Sequence, residues 1–185
     1  MDMAKCEHCS PAVALDPKKV IKVLEHIGAH ILFNNNLILS LEPCGLCLRP
    51  SPSCVFYLRK GKGAGSSCQV DLRCSRCPRL QRFSYQSASI EAPNSPCTNV
   101  PIVCPLCPST ASAVWKYNMR AHFSKHHPTA SFGDHFPDMH ISNSERDALQ
   151  QKWRSRYKTR KSKATKKSEV PLAFSDEHSS RQAFL

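Results

Sequence analysis

Cys104 and Cys107 stand with two residues between them in the stretch CPLCPSTASAVWKYNMRAHFSKHHP, and across a gap of fourteen residues from Cys107 comes His122, followed by His126 and His127. Two thiolates on a tight turn and two imidazoles on a following helix form a tetrahedral donor set that suits zinc, with sulfur at ~2.3 Å and nitrogen at ~2.0 Å from the ion. The second imidazole is His126 or His127, because H-x3-H and H-x4-H are both usable spacings. Ile102, Trp115 and Met119 supply apolar support around the set.

A second constellation carries the same ligand types in reverse order. His26-x3-His30 is followed, after thirteen residues, by Cys44-x2-Cys47. Imidazoles one helical turn apart share a face and can reach one ion. Cys54, Cys68, Cys74, Cys77 and Cys97 then remain, and five cysteines offer five choices of four. A four-thiolate site drawing on Cys74, Cys77, Cys54 and Cys97 is one such choice. Cys6-x2-Cys9 is half a site with no evident partner. The expected cofactor is Zn2+, at two sites with room for a third.

Three catalytic readings fail on their own chemistry. PCGLC matches half of a zinc deaminase pattern, but no H-x-E accompanies it, so the proton-transferring Glu is missing. HIGAH places Ile27 where a zinc protease helix needs Glu. GKGAGSS puts its lysine before the glycines and cannot close a phosphate loop. No acid/base or nucleophile constellation is visible, so the chain is expected not to be an enzyme and to take no small-molecule substrate.

The elements that must position these ligands are short. Asp16-Pro17 reads as a helix start, and Val20, Leu24, Ile27 and Ile31 recur as one apolar stripe with Val23 at its border. Leu37 to Leu41 reads as a strand. CVFYLRK, CQVDLRC and RLQRFSYQ read as a small antiparallel meander. It is basic, with Arg59, Lys60, Lys62, Arg73, Arg76, Arg79 and Arg82 against Asp71 alone. A last helix, capped by Ser144, aligns Leu149, Trp153 and Tyr157 on one side. The expected class is α+β: small zinc-stabilised modules and a disordered basic carboxyl-terminal tail. The divisions are a flexible terminus (1–15), a Cys/His module with a small sheet (16–92), a finger (93–130), a linker and helix (131–160) and a tail (161–185).

Composition sets the partner class. The chain has 185 residues, 11 Cys and 9 His, and a formal net charge of +12. Small modules of this size need staples beyond an apolar core. The amino terminus shows no apolar run of secretory length, which predicts reduced thiols in cytosol or nucleus and therefore metal rather than disulfide staples. No stretch suits a membrane span. Lys152 to Lys167 holds nine Lys or Arg and no acid, a pattern that attracts polyanions or directs nuclear import.

A finger docked on DNA would turn Trp115, Asn118 and Ala121 toward base edges, with Asn118 able to read adenine. Lys116, Arg120 and Lys125 would contact phosphate, and Arg154, Arg156, Lys158 and Arg160 would add a basic arm. The predicted partner is nucleic acid, most simply DNA, in the nucleus. The rival expectation is a protein-interaction adaptor that presents the Leu149, Trp153 and Tyr157 face to another protein.

The phrases HIGAHIL, EPCGLCLRPSPSC, FYLRKGKG, SPCTNVPIVCPLC, VWKYNMRAHFSKHHP and SDEHSSR together resemble a group of Cys/His-rich fungal proteins with a C2H2/BED-like finger of the sort found around mobile elements. In such fingers the last histidine commonly stands directly before a proline, which favours His127 over His126. The resemblance implies zinc ligation by Cys104, Cys107, His122 and His127, and by His26, His30, Cys44 and Cys47. It favours Cys54, Cys77 and Cys97 in the middle block and leaves the partner open.

Overall fold

A computed structural model describes residues 4–61 and 68–157. Its elements are β1 (Ala4–Cys6), β2 (Val13–Leu15), α1 (Val20–Phe33), β3 (Leu58–Lys60), β4 (Cys68–Val70), α2 (Tyr85–Ser89), β5 (Pro101–Ile102), β6 (Val114–Trp115), α3 (Met119–His126), α4 (Phe132–His135) and α5 (Asn143–Ser155). The strands form three separate two-stranded antiparallel hairpins, β1 with β2, β3 with β4 and β5 with β6. This is a mixture of helices and small antiparallel sheets, none large enough to bury an apolar face alone.

The order within the chain has a repeat. A hairpin with a Cys-x2-Cys turn precedes a helix twice: β1 and β2 before α1, and β5 and β6 before α3. The segment between them carries β3, β4 and two further cysteine turns. The expected stripe on α1 is buried at Val23, Leu24, Ile27 and Ile31. The helix begins at Val20 rather than at Pro17, because Asp16 spends its carboxylate on a turn, accepting from the Lys18 N–H at 3.0 Å. Leu37 to Leu41 is a turn and a single 3-10 turn, not a strand. The third strand of the expected meander is replaced by α2, capped by Ser84.

α5 closes the body. Ser142, not Ser144, caps it by accepting from the Glu145 N–H at 2.9 Å. Leu149 is fully buried, and Trp153 packs edge-on against His30 with centroids 4.9 Å apart. Lys152 reaches the buried Glu25 of α1 at 3.3 Å, and Lys22 reaches it at 2.7 Å. Glu145 is buried too, accepting from the Thr98 N–H at 2.6 Å, the Thr98 hydroxyl at 2.8 Å and the Tyr117 hydroxyl. Of the face that an adaptor would present to a partner, Leu149 is used inside the molecule and Trp153 is half-buried, while Tyr157 is exposed.

One core runs from Leu15 and Leu24 through Phe56 and Val100 to Trp115 and Leu149. It thus crosses the divisions expected at residues 15, 92 and 130. A smaller cluster of Val114, Met119 and Phe123 lies behind α3, covered by Phe132 and Phe136. No helix among the described residues is long and apolar enough to cross a membrane.

Candidate metal centres

Twelve Cys and His side chains fall into three groups of four, and within each group the ligand atoms all lie within 4.8 Å of one another: Cys6, Cys9, His26, His30; Cys44, Cys47, Cys54, Cys77; and Cys104, Cys107, His122, His127. A tetrahedron with zinc's usual ligand lengths has S···S edges of ~3.8 Å and S···N edges of ~3.6 Å. The observed separations lie close to those edges. In the first group Cys6 Sγ and Cys9 Sγ stand 3.5 and 3.2 Å from His30 Nε2, and Cys9 Sγ stands 3.6 Å from His26 Nε2. In the second, Cys44 and Cys47 each lie 3.7 Å from Cys77, and Cys47 lies 3.4 Å from Cys54. In the third, Cys104 to His127, Cys107 to His122 and Cys107 to His127 span 3.4, 3.4 and 3.3 Å. All eleven cysteines are free thiols. These groups can hold metal ions, and their donor chemistry fits zinc.

Local structure explains each convergence. His26 and His30 project from one face of α1, and the β1–β2 hairpin folds its Cys6–Cys9 turn onto them; the Cys9 N–H closes that turn on the Cys6 carbonyl at 3.3 Å. The third group repeats the plan, with the Cys107 N–H on the Cys104 carbonyl at 3.3 Å and the imidazoles delivered by α3 and the residue that ends it. In the second group two cysteine turns face each other, and backbone amides point at sulfur: Leu46 N–H to Cys44 and Arg79 N–H to Cys77, both at 3.4 Å. Such bonds orient thiolates and offset their charge.

Three expectations need correction. His26 and His30 do not meet Cys44 and Cys47; their partners are Cys6 and Cys9, so the half-site without a partner completes the first group. Cys44 and Cys47 instead join Cys54 and Cys77. Cys97 belongs to no group: it is almost wholly buried between α1 and Tyr117, donating to the Leu24 carbonyl at 3.3 Å, and burial pushes its thiol up to about 12. The overlooked signal was order. Cys6-x2-Cys9, a sixteen-residue gap and His26-x3-His30 run in the same sense as Cys104-x2-Cys107, fourteen residues and His122-x4-His127.

Charge in these groups follows from dry packing. Burial pushes His26 down to about 4 and His30 to about 3, and pushes the Cys9 thiol up to about 12. Thiol donors from Cys44 and Cys77 draw Cys47 well below its ordinary value, while burial holds Cys44 well above it. Gathered thiols resist multiple ionisation unless a cation supplies the compensating charge.

A carboxylate stands behind one imidazole. Glu42 Oε1 accepts from His122 Nδ1 at 2.7 Å, leaving Nε2 to face Cys107 and Cys104. That bond is the main reason the Glu42 carboxyl is held below its ordinary range. Glu42 adopts φ +50°, a region sparsely used outside glycine. His126 lies on the same carboxylate at 3.4 Å and is not among the four. His30 has the opposite environment: its Nδ1 is buried with no hydrogen-bond partner among the described residues.

The residues expected to read DNA are mostly engaged internally. Asn118 is fully buried and donates to the Pro43 carbonyl at 2.8 Å, so it cannot reach a base edge. Trp115 is buried against Phe56, with centroids 4.9 Å apart. Lys116 Nζ donates to the Thr98 hydroxyl at 2.6 Å, Lys125 Nζ donates to the Ser40 carbonyl at 3.0 Å, and Arg120 covers the Phe132 ring at 4.7 Å. Arg156 stacks on Trp153 at 3.5 Å, whereas Arg154 is exposed. Lys158 and Arg160 lie outside the described residues, as does the expected tail.

Comparison of the chain with protein-family models, curated proteins and solved structures finds no match.

Proposed function

We propose that the chain is a structural zinc protein that binds nucleic acid in the nucleus. Each of the three groups takes one Zn2+, the first and third as C2H2-type hairpin-and-helix sites and the second as a four-cysteine clasp between them. The carrying observation is the spacing of the twelve donor atoms, which follows the edges of zinc tetrahedra. Four protein ligands leave no position for water or substrate, so the ions act as staples. Structural zinc contributes roughly 10–16 kcal/mol of apparent binding energy to folding.

The nucleic-acid part is supported by the formal net charge of +12 and by the basic middle and carboxyl-terminal stretches. With Asn118 and Trp115 buried, the reading favours backbone contacts and weak sequence preference over base reading by α3. The experiment is a titration of the zinc-loaded protein with labelled DNA across a salt series. The expected result is binding that weakens linearly on logarithmic axes as salt rises. No binding at low ionic strength would contradict the nucleic-acid reading, and a chelated chain that kept its full helix signal would contradict the zinc reading.

A further inference from the structure

The cysteine groups leave the basic middle block unexplained, although three of its five arginines gather in one place. Arg59 of β3, Arg73 after β4 and Arg82 before α2 line one concavity of about 770 Å³, and all three are exposed. None of these guanidiniums makes an ion pair or a side-chain hydrogen bond among the described residues. Asp71 is the only acid among the described residues of the lining. Its Oδ1 is already turned to the backbone, accepting from the Arg73 N–H at 2.8 Å and the Cys74 N–H at 3.3 Å. Three positive groups around one hollow outnumber its one carboxylate, whose charge also acts on Arg59, and leave the hollow anion-attracting.

The lining also holds two aromatic rings, Phe83 and Tyr85. Tyr85 is fixed in place by its hydroxyl, which donates to the Pro101 carbonyl at 2.8 Å. Rings interleaved with guanidiniums suit a ligand with flat faces and a charged backbone. A paired duplex offers a hollow only its phosphates, because its bases are stacked and closed. A single strand can lay a base on the rings while its phosphates meet the arginines.

We propose that this hollow is a single-stranded nucleic-acid site, with Arg59, Arg73 and Arg82 on successive phosphates and Phe83 and Tyr85 stacking an unpaired base. It rests on the nucleic-acid reading above and gives that reading a location that uses none of the α3 residues. The test is fluorescence anisotropy of the zinc-loaded full chain with a labelled single-stranded DNA oligomer, its RNA counterpart and the matching duplex, over a salt series. The variants are R59A/R73A/R82A, Y85L and Y85F, each checked for unchanged ion content by native mass spectrometry.

The expected result is tighter binding of single strands than of duplex. Removing the three arginines should lower the logarithmic salt slope by about 2, at roughly 0.7 per phosphate contact. Y85L should weaken single-strand binding by about 5- to 150-fold, the range of one lost stacking contact, while Y85F keeps the ring, gives up only the hydroxyl bond that positions it, and should lose less than Y85L. A triple variant with wild-type affinity and slope would overturn the site while leaving the general nucleic-acid reading intact. Duplex preferred over single strand, with Y85L unchanged, would overturn the stacking. A wild-type chain that binds no strand at low salt would overturn both readings together.

Discussion

Glu42 offers a sharp test, because it touches a candidate ligand from outside the donor group. Its carboxylate fixes the His122 tautomer through a 2.7 Å bond at Nδ1, so that Nε2 presents a lone pair toward Cys107. A hydrogen bond to a charged group contributes about 1.5–3 kcal/mol, and losing an outer partner of a metal-bound histidine typically costs about 10–100-fold in affinity. E42A should therefore release one ion at roughly ten- to a hundredfold lower chelator concentration than wild type. E42Q still accepts from Nδ1 but without charge, and should lose about tenfold or less. E42G separates metal from backbone: glycine relaxes the φ of +50° yet supplies no acceptor, so it should lose the ion as readily as E42A. The assay counts ions per chain by native mass spectrometry along a chelator titration. If E42A and E42G released every ion at the wild-type concentration, the bond to His122 would have no part in holding metal.

Further expectations concern partition, packing and acid. C77S and C9S should each lose one ion, whereas C97S should keep all three, since Cys97 lies outside every group. G45A should destabilise by about 1–3 kcal/mol in denaturant melts, because a methyl at Gly45 would fall on the Trp115 ring. In acid, His26 and His30 are held below their ordinary value of 6.5, so the unfolded chain takes up protons that the folded chain refuses. Stability is fully present above about pH 6.5 and is lost as pH falls below it, because burial and a bound ion both hold these imidazoles neutral in the folded chain. Urea melts at pH 7.5 and 5 should show that loss, and a flat profile would contradict it.

The helices were legible because their apolar spacing is local. Val23, Leu24, Ile27 and Ile31 mark the buried face of α1 in the sequence itself. The third group was legible for the same reason, since its four residues lie within 24 positions of one another. The other partition was not. Nearness in sequence joins His30 to Cys44, but α1 carries its histidines back to the hairpin before it. Asn118 has the right type and spacing for base reading, and only tertiary packing reveals that its amide is spent on Pro43. The expected third strand failed because Ser84 caps a helix where residue types favoured extension.

The most direct test of the account is the mass of the protein purified under native, reducing conditions. Three zinc ions per chain, all removed together with the helix signal on exhaustive chelation, is the predicted result. A metal-free chain that stays folded, or one whose sulfurs are joined in pairs, would contradict it.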